Sequence, residues 1–191
     1  MEGRLVSPLK RGTSTDQDLS ALAGNEYDFV DTQFNTNRLC RMVLVKNGST
    51  IALAARKLVR WKTSGDYHTV VDGYTKVEAE DWAGVTDDLL SATVPVNSYF
   101  YIGVKGPFLV LTPATAAEAG PVDFAVGLKV VAATAAASTA TTDAGAVRTR
   151  NATLGATGTA LANNIENAVG RAASAKATTS TGTPLLVIFG D

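Results

Sequence analysis

Asp87 and Asp88 are adjacent carboxylates, and Glu78, Glu80 and Asp81 lie a few residues before them. Carboxylates crowded in this way can hold a divalent cation, which takes about six to eight oxygen ligands. The spacing of an EF-hand loop with its closing glutamate is absent. A glycosidase needs two carboxyl groups facing each other across a cleft, and linear spacing does not set that. The expectation is a solvated acidic loop. His68 is the only histidine and Cys40 the only cysteine. A thiol nucleophile with a histidine base would need these two side by side in space. Cys40 sits in the apolar run Leu39-Cys40-Arg41-Met42-Val43, and cysteine is among the most buried residue types, so it reads as core. One cysteine also excludes an intrachain disulfide and a multi-cysteine metal site. No glycine-rich phosphate motif is present. No cofactor is expected, and no enzyme.

The remaining chemistry is basic and aromatic. Arg56, Lys57, Arg60, Trp61, Lys62 and Tyr67 cluster in the sequence. Such interleaving suits single-stranded nucleic acid or a protein interface, where Trp and Arg are enriched at hot spots. The formal net charge is -1 and the pI about 5.8. Duplex binders carry a basic excess, so nucleic acid is not an expected partner; lone strand-edge charges and an interface anchor at Arg60-Trp61-Lys62 are equal readings of the cluster. Arg4, Lys10 and Arg11 make the N-terminus mildly basic, which suits an acidic partner surface. Trp82 follows the Glu78–Asp81 acidic stretch. The expected interface residues are Arg4, Lys10, Arg11, Arg60, Trp61 and Trp82.

These residues need a scaffold, and the sequence predicts a mainly β one. Residues 94–112, VPVNSYFYIGVKGPFLVLT, hold two apolar runs broken by Lys105-Gly106-Pro107. This predicts a strand, a tight corner and a second strand. Residues 39–45 predict a strand ending at Asn47-Gly48, a hairpin signal. The returning run, 49–61, reads as a strand, with an amphipathic helix over IALAARKLV as the alternative. Residues 67–71 predict a strand, Asp72-Gly73 a second hairpin, and 74–77 its return. Further strands are expected at 127–131, at 167–172 with Gly170 marking a bulge or close backbone approach, and at 185–189. Residues 132–142 contain only Ala, Thr and Ser, too small to fill a core. The fold expected is a small barrel or sandwich of short antiparallel strands. Residues 1–26 are expected to be an extended N-terminal arm, with one turn through Leu19 and Leu22 capped by Ser14 or Asp16. Residues 27–191 are expected to be a single β-rich domain.

Hydrophobic residues make up 46% and charged residues 18% of the chain, so a core is affordable without a membrane. No apolar run approaches the roughly 20 residues of a membrane span. Residues 1–18 lack the apolar stretch of a secretory signal, so a cytoplasmic origin is expected, free or within a larger assembly.

Three segments resemble the small, Gly/Ala/Thr-rich, cysteine-poor β proteins that decorate or cement the capsids of tailed bacteriophages. Residues 94–107, VPVNSYFYIGVKGP, are similar to their valine, polar-pair, aromatic-strand, Lys-Gly-Pro segment. Residues 122–134 with the Ala-rich run after them resemble a strand-glycine-strand element. Residues 167–172 and 185–189 resemble a closing pair, Val-Gly-Arg-Ala, then a turn, then an apolar strand. The resemblance covers about half the chain, from Val94 onward, and residues 1–93 add hairpins and an arm. It implies a non-enzymatic virion protein on the outer capsid surface, assembled in the host cytoplasm. Its implied partner is the major capsid protein, whose neighbouring subunits it bridges, and it implies a homo-oligomer, with a trimer favoured. Another virion component, such as a tail-tube or head-completion protein, is the alternative. A carbohydrate- or surface-binding β-sandwich is the alternative from a different class.

Overall fold

The computed structural model describes residues 6–30, 39–64, 66–74, 82–113, 124–132, 145–149, 168–176 and 183–190. The strands are β1 (Glu26–Val30), β2 (Leu39–Asn47), β3 (Leu58–Trp61), β4 (Val70–Tyr74) and β5 (Trp82–Thr86). They continue as β6 (Tyr99–Leu111), β7 (Lys129–Ala132), β8 (Val147–Thr149), β9 (Ala168–Ala172) and β10 (Pro184–Phe189). Their order in the sheet is β1-β2-β4-β3-β5-β6-β10-β9-β7-β8. A further β2–β6 pairing closes β2, β4, β3, β5 and β6 into a partial ring. The mainly β, barrel-like class expected from the turn spacing is the one found. Every pairing is antiparallel except β2–β4, which is parallel over Lys46↔Val70 and Asn47↔Val71.

The longest strand, β6, is buried on both faces. Phe100 and Ile102 point into a ring core with Val43, Val45, Leu53, Val59 and Val71. Tyr99 and Tyr101 point the other way, into an outer core with Met42, Leu44, Leu185 and Phe189. Alternate residues of a strand face opposite sides, so a strand between two cores reads as a continuous apolar run. That is why residues 99–104 show no polar alternation. Burying one such aromatic fully stabilises by about 1.5–3 kcal/mol.

The corner expected at Lys105-Gly106-Pro107 is instead a bend inside this one strand. Arg41 pairs with Lys105 but Met42 pairs with Gly103, so Val104 is an extra residue, a β-bulge. The bulge shifts the phase, and Phe108 and Val110 thereby join the core that Tyr99 and Tyr101 fill. Gly106 has φ +105, and a Cβ there would lie 2.8 Å from the Leu39 carbonyl oxygen. Glycine is required at that position on both counts.

Asn47-Gly48 does not make the expected hairpin. The buried Asn47 side chain donates to the carbonyls of Ile51, Val94 and Pro95 at 3.0–3.1 Å. Its Oδ1 accepts from the Ser49 N–H and hydroxyl. A side chain that bonds its own downstream backbone replaces ladder pairing with a local turn. The chain therefore leaves β2 in a loop, with a bridge at Leu53↔Val94, and returns as β3 against β4 and β5. Neither the long return strand nor the alternative helix forms. Asp72-Gly73 likewise lies within β4, where the Asp72 carboxylate accepts from Arg60 on β3 at 2.7 Å. The expected return strand at 74–77 lies outside the described residues beyond Tyr74, as does the small-residue run at 133–142.

At the C-terminal end the expected strands are present as β7, β9 and β10. A Cβ on Gly170 would lie 2.6 Å from the Ile188 carbonyl oxygen, and the β7–β9 register shifts beside it, Val130 pairing with Gly170 but Val131 with Ala168, so both the close approach and the bulge open to a strand glycine are present.

The described part of the N-terminal segment, residues 6–25, runs through turns and one isolated bridge and lies along the domain. Thr15 and Tyr99 exchange two backbone hydrogen bonds, at 3.0 and 2.8 Å. Leu9, Leu19, Leu22 and Ala23 pack on the outer core. Ser20–Leu22 form one 3-10 turn, with the Asp18 carboxylate accepting the Ser20 N–H at 2.9 Å. The residue at the cap position is Leu19, without a side-chain cap, so neither Ser14 nor Asp16 caps the turn as expected. A boundary at 26–27 falls inside β1.

The tightest glycine contact in β6 yields a prediction. A Cβ on Gly103 would lie 2.4 Å from the Phe108 ring, and Phe108 is fully buried. Gly103→Ala should lower stability by about 1–3 kcal/mol, measured as a reduced urea midpoint with an unchanged slope; an unshifted midpoint would refute the account.

Candidate functional site

The acidic pair is not a solvated loop. Asp87 and Asp88 are 1% and 2% exposed. They follow β5, and the N-terminal segment lays Arg11 over them. Arg11 Nη2 lies 3.0 Å from Asp87 Oδ1 and 2.7 Å from Asp88 Oδ1. The Gly12 N–H donates to Asp87 Oδ2 at 2.6 Å, the Leu89 N–H to Asp87 Oδ1 at 3.2 Å and the Leu109 N–H to Asp88 Oδ2 at 3.1 Å. The guanidinium also sits 5.8 Å from the Phe108 ring centroid, a cation–π distance. The pair therefore fastens the N-terminal segment to β5 and β6 and offers no open oxygens for a cation. Among the described residues no group of three His, Cys, Asp or Glu side chains is placed to hold a metal ion. Glu78, Glu80 and Asp81 lie outside the described residues.

Burial raises the Asp88 carboxyl above its ordinary value, against the downward pull of the Leu109 N–H and of Arg11. Burial also works against the Arg11 charge, but Asp87, with Asp88 behind it, outweighs that and holds the guanidinium pKa up. The arrangement keeps the cation and loads the desolvation onto Asp88.

Cys40 and His68 sit against different cores. Cys40 is fully buried in the outer core and its thiol donates to the Pro107 carbonyl at 3.5 Å. His68 is exposed, has φ +68, and its ring lies 4.1 Å from Tyr67 and 5.2 Å from Trp61 between centroids. Lys176 is held down to about 8 by burial. It donates to the Thr112 hydroxyl and the Thr183 carbonyl, tying the entry of β10 to the exit of β6.

The structure separates the expected interface residues. Arg4 lies outside the described residues. Arg11 is committed to the buried carboxylates, so it is not free to meet a partner. Trp61 is 8% exposed and fills the ring core, so it too is core rather than a surface anchor. Lys10 is exposed. Arg60 and Trp82 are brought together as direct cross-strand partners of β3 and β5, on the face opposite Trp61 and Ala83. Trp82 is half-buried and stacks on Phe189 at 5.5 Å with the rings 16° from parallel.

Trp82 also lines a groove of about 270 Å³ with Lys129, Gly170, Arg171, Ile188 and Gly190. Lys129 and Arg171 are exposed and directly opposite each other on β7 and β9. Like charges so placed repel. Sequence reasoning did not single out these two cations. The signal available was a lone basic residue in each of two short apolar strands, Gly-Leu-Lys-Val-Val and Ala-Val-Gly-Arg-Ala; their facing each other follows only from strand order. A second recess, of about 240 Å³, is lined by Glu26, Val43, Trp61, His68 and Val104.

Comparison with protein-family models, with curated proteins and with solved structures finds no match.

A carboxyl held above its unfolded pKa binds its proton more tightly when folded. Asp88 therefore contributes stability below the ordinary aspartate pKa of about 3.9, and that contribution is lost as pH rises through its folded value. Arg11→Ala should destabilise the protein by about 3–5 kcal/mol at neutral pH, because it strands buried carboxylates. The loss should shrink towards about pH 4, the ordinary aspartate value, because Asp88, raised above that value by burial, is protonated there. Urea titrations at both pH values check this, and an equal loss at both would contradict it.

Proposed function

We propose that the protein is a virion structural component, a decoration or cement protein that binds the outer surface of a major capsid protein and bridges neighbouring subunits. The observation that carries this reading is the Trp82 groove. It sets an aromatic ring and two cations on an open face of the sheet, and half-buried Trp with Arg is the composition of interface hot spots. Contacts of that kind gain from repetition, because one bound site raises the effective concentration of the next. A homotrimer around a capsid axis would supply the repetition. In this reading the partner meets Lys10, Arg60 and Trp82, while Arg11 and Trp61 act inside the fold.

The experiment is fractionation of particles from cells making the protein with its capsid. The expected result is recovery with heads at a fixed ratio to the major capsid protein, and a trimer by light scattering of the free protein. Recovery with tails alone, or with neither, would overturn the reading.

A second reading, a carbohydrate-binding β module, draws support from the exposed Tyr67–His68 pair, which lies over the buried Trp61 beside the second recess. Aromatic rings with a polar edge offer a stacking surface. A glycan array tests it: binding that Tyr67→Ala abolishes would support it, and an array without binding would remove it.

A further inference from the structure

The Trp82 groove is short of one thing, a negative charge. Lys129 and Arg171 face each other across β7 and β9, and neither has a carboxylate partner among the described residues. Arg171 spends one N–H on the Gly127 carbonyl at 3.2 Å. The Trp82 Nε1–H is buried and has no hydrogen-bond partner among the described residues. Native structures seldom leave a buried donor unpaired. An indole N–H donates only, so what is missing is an acceptor. A bound acidic segment would answer both, with a carboxylate for the repelling cations and an acceptor for the unpaired donor.

We propose that the groove takes an acidic, extended segment of a partner protein, with a carboxylate between Lys129 and Arg171 and an acceptor on the Trp82 N–H. Nucleic acid fits less well. One face of Trp82 is covered by Phe189, the cations are few, and the chain carries a net charge of -1, where strand binders need a basic track. That the segment belongs to a capsid protein rests on the reading above; the acidic chemistry does not.

The test uses the full chain and a fluorescein-labelled octapeptide of alternating aspartate and glycine, followed by anisotropy. The expected result is saturable binding that added salt weakens, and none by the matching asparagine–glycine peptide. Lys129→Gln with Arg171→Gln should weaken binding about tenfold or more, the value of charge-assisted hydrogen bonds. Both sites are exposed, so the fold should tolerate the change, and an unchanged circular dichroism spectrum would verify it. Trp82→Phe keeps a ring on Phe189 while removing the N–H, and should weaken binding several-fold. Equal binding of the neutral peptide, indifference to these variants, or preference for a single-stranded oligonucleotide would overturn the proposal. Peptide binding by a protein that is absent from particles would uphold the groove and overturn the capsid reading. Normal head occupancy by the double variant would overturn the groove as the capsid contact and leave decoration standing.

Discussion

Phe100 and Tyr101 are neighbours in β6 and point into different cores. A strand buried on both faces must pair on both edges, because an unpaired buried backbone group costs as much as a lost hydrogen bond. β6 meets this with three partners: β2 and β5 along its first half and β10 along its second. The ring on one side and the β10-β9-β7-β8 extension on the other follow from that demand. The bulge at Val104 lets one strand serve both. Without the phase shift, Phe108 and Val110 would turn away from the core that Tyr99 and Tyr101 fill.

The same demand explains how charge is used. Beyond Val104 the edge of β6 away from β10 has no strand beside it in the sheet order. There the Leu109 N–H donates to Asp88 and the Leu111 N–H to the Arg56 carbonyl. The acidic pair thus finishes the hydrogen bonding of a buried strand, and Arg11 neutralises the pair. The N-terminal segment is therefore part of the fold's electrostatics as well as a cover for the outer core. Surface ion pairs such as the half-buried Arg60–Asp72 stabilise by about 0.2–1 kcal/mol each; the buried set matters more because its parts cannot be separated without stranding charge.

Once Arg11 and Trp61 are spent inside the molecule, the surface chemistry lies elsewhere. Lys129 and Arg171, far apart in sequence, meet only because β7 and β9 pair. Trp82 joins them because β5 and β10 flank β6, which sets its ring on Phe189. The proposed docking face is thus a product of strand order.

Local pattern determined much of this protein. Apolar runs bounded by turns marked β2, β6, β9 and β10, because burial and strand period are written in neighbouring residues. Gly170 announced a bulge or close backbone approach, because a missing Cβ permits both. Residue type and an apolar run placed Cys40 in a core. Tertiary structure decided the rest. Asn47-Gly48 looked like a hairpin, but the Asn47 side chain bonds carbonyls at Val94 and Pro95, which no local rule foresees. Lys105-Gly106-Pro107 looked like a corner, but pairing to β10 carries the strand through it. Asp87 and Asp88 looked solvated, because their charge is local information and their partner, Arg11, is not. Each difference has one physical cause: hydrogen bonds and ion pairs between distant residues outweigh local preference wherever burial makes an unpaired group costly.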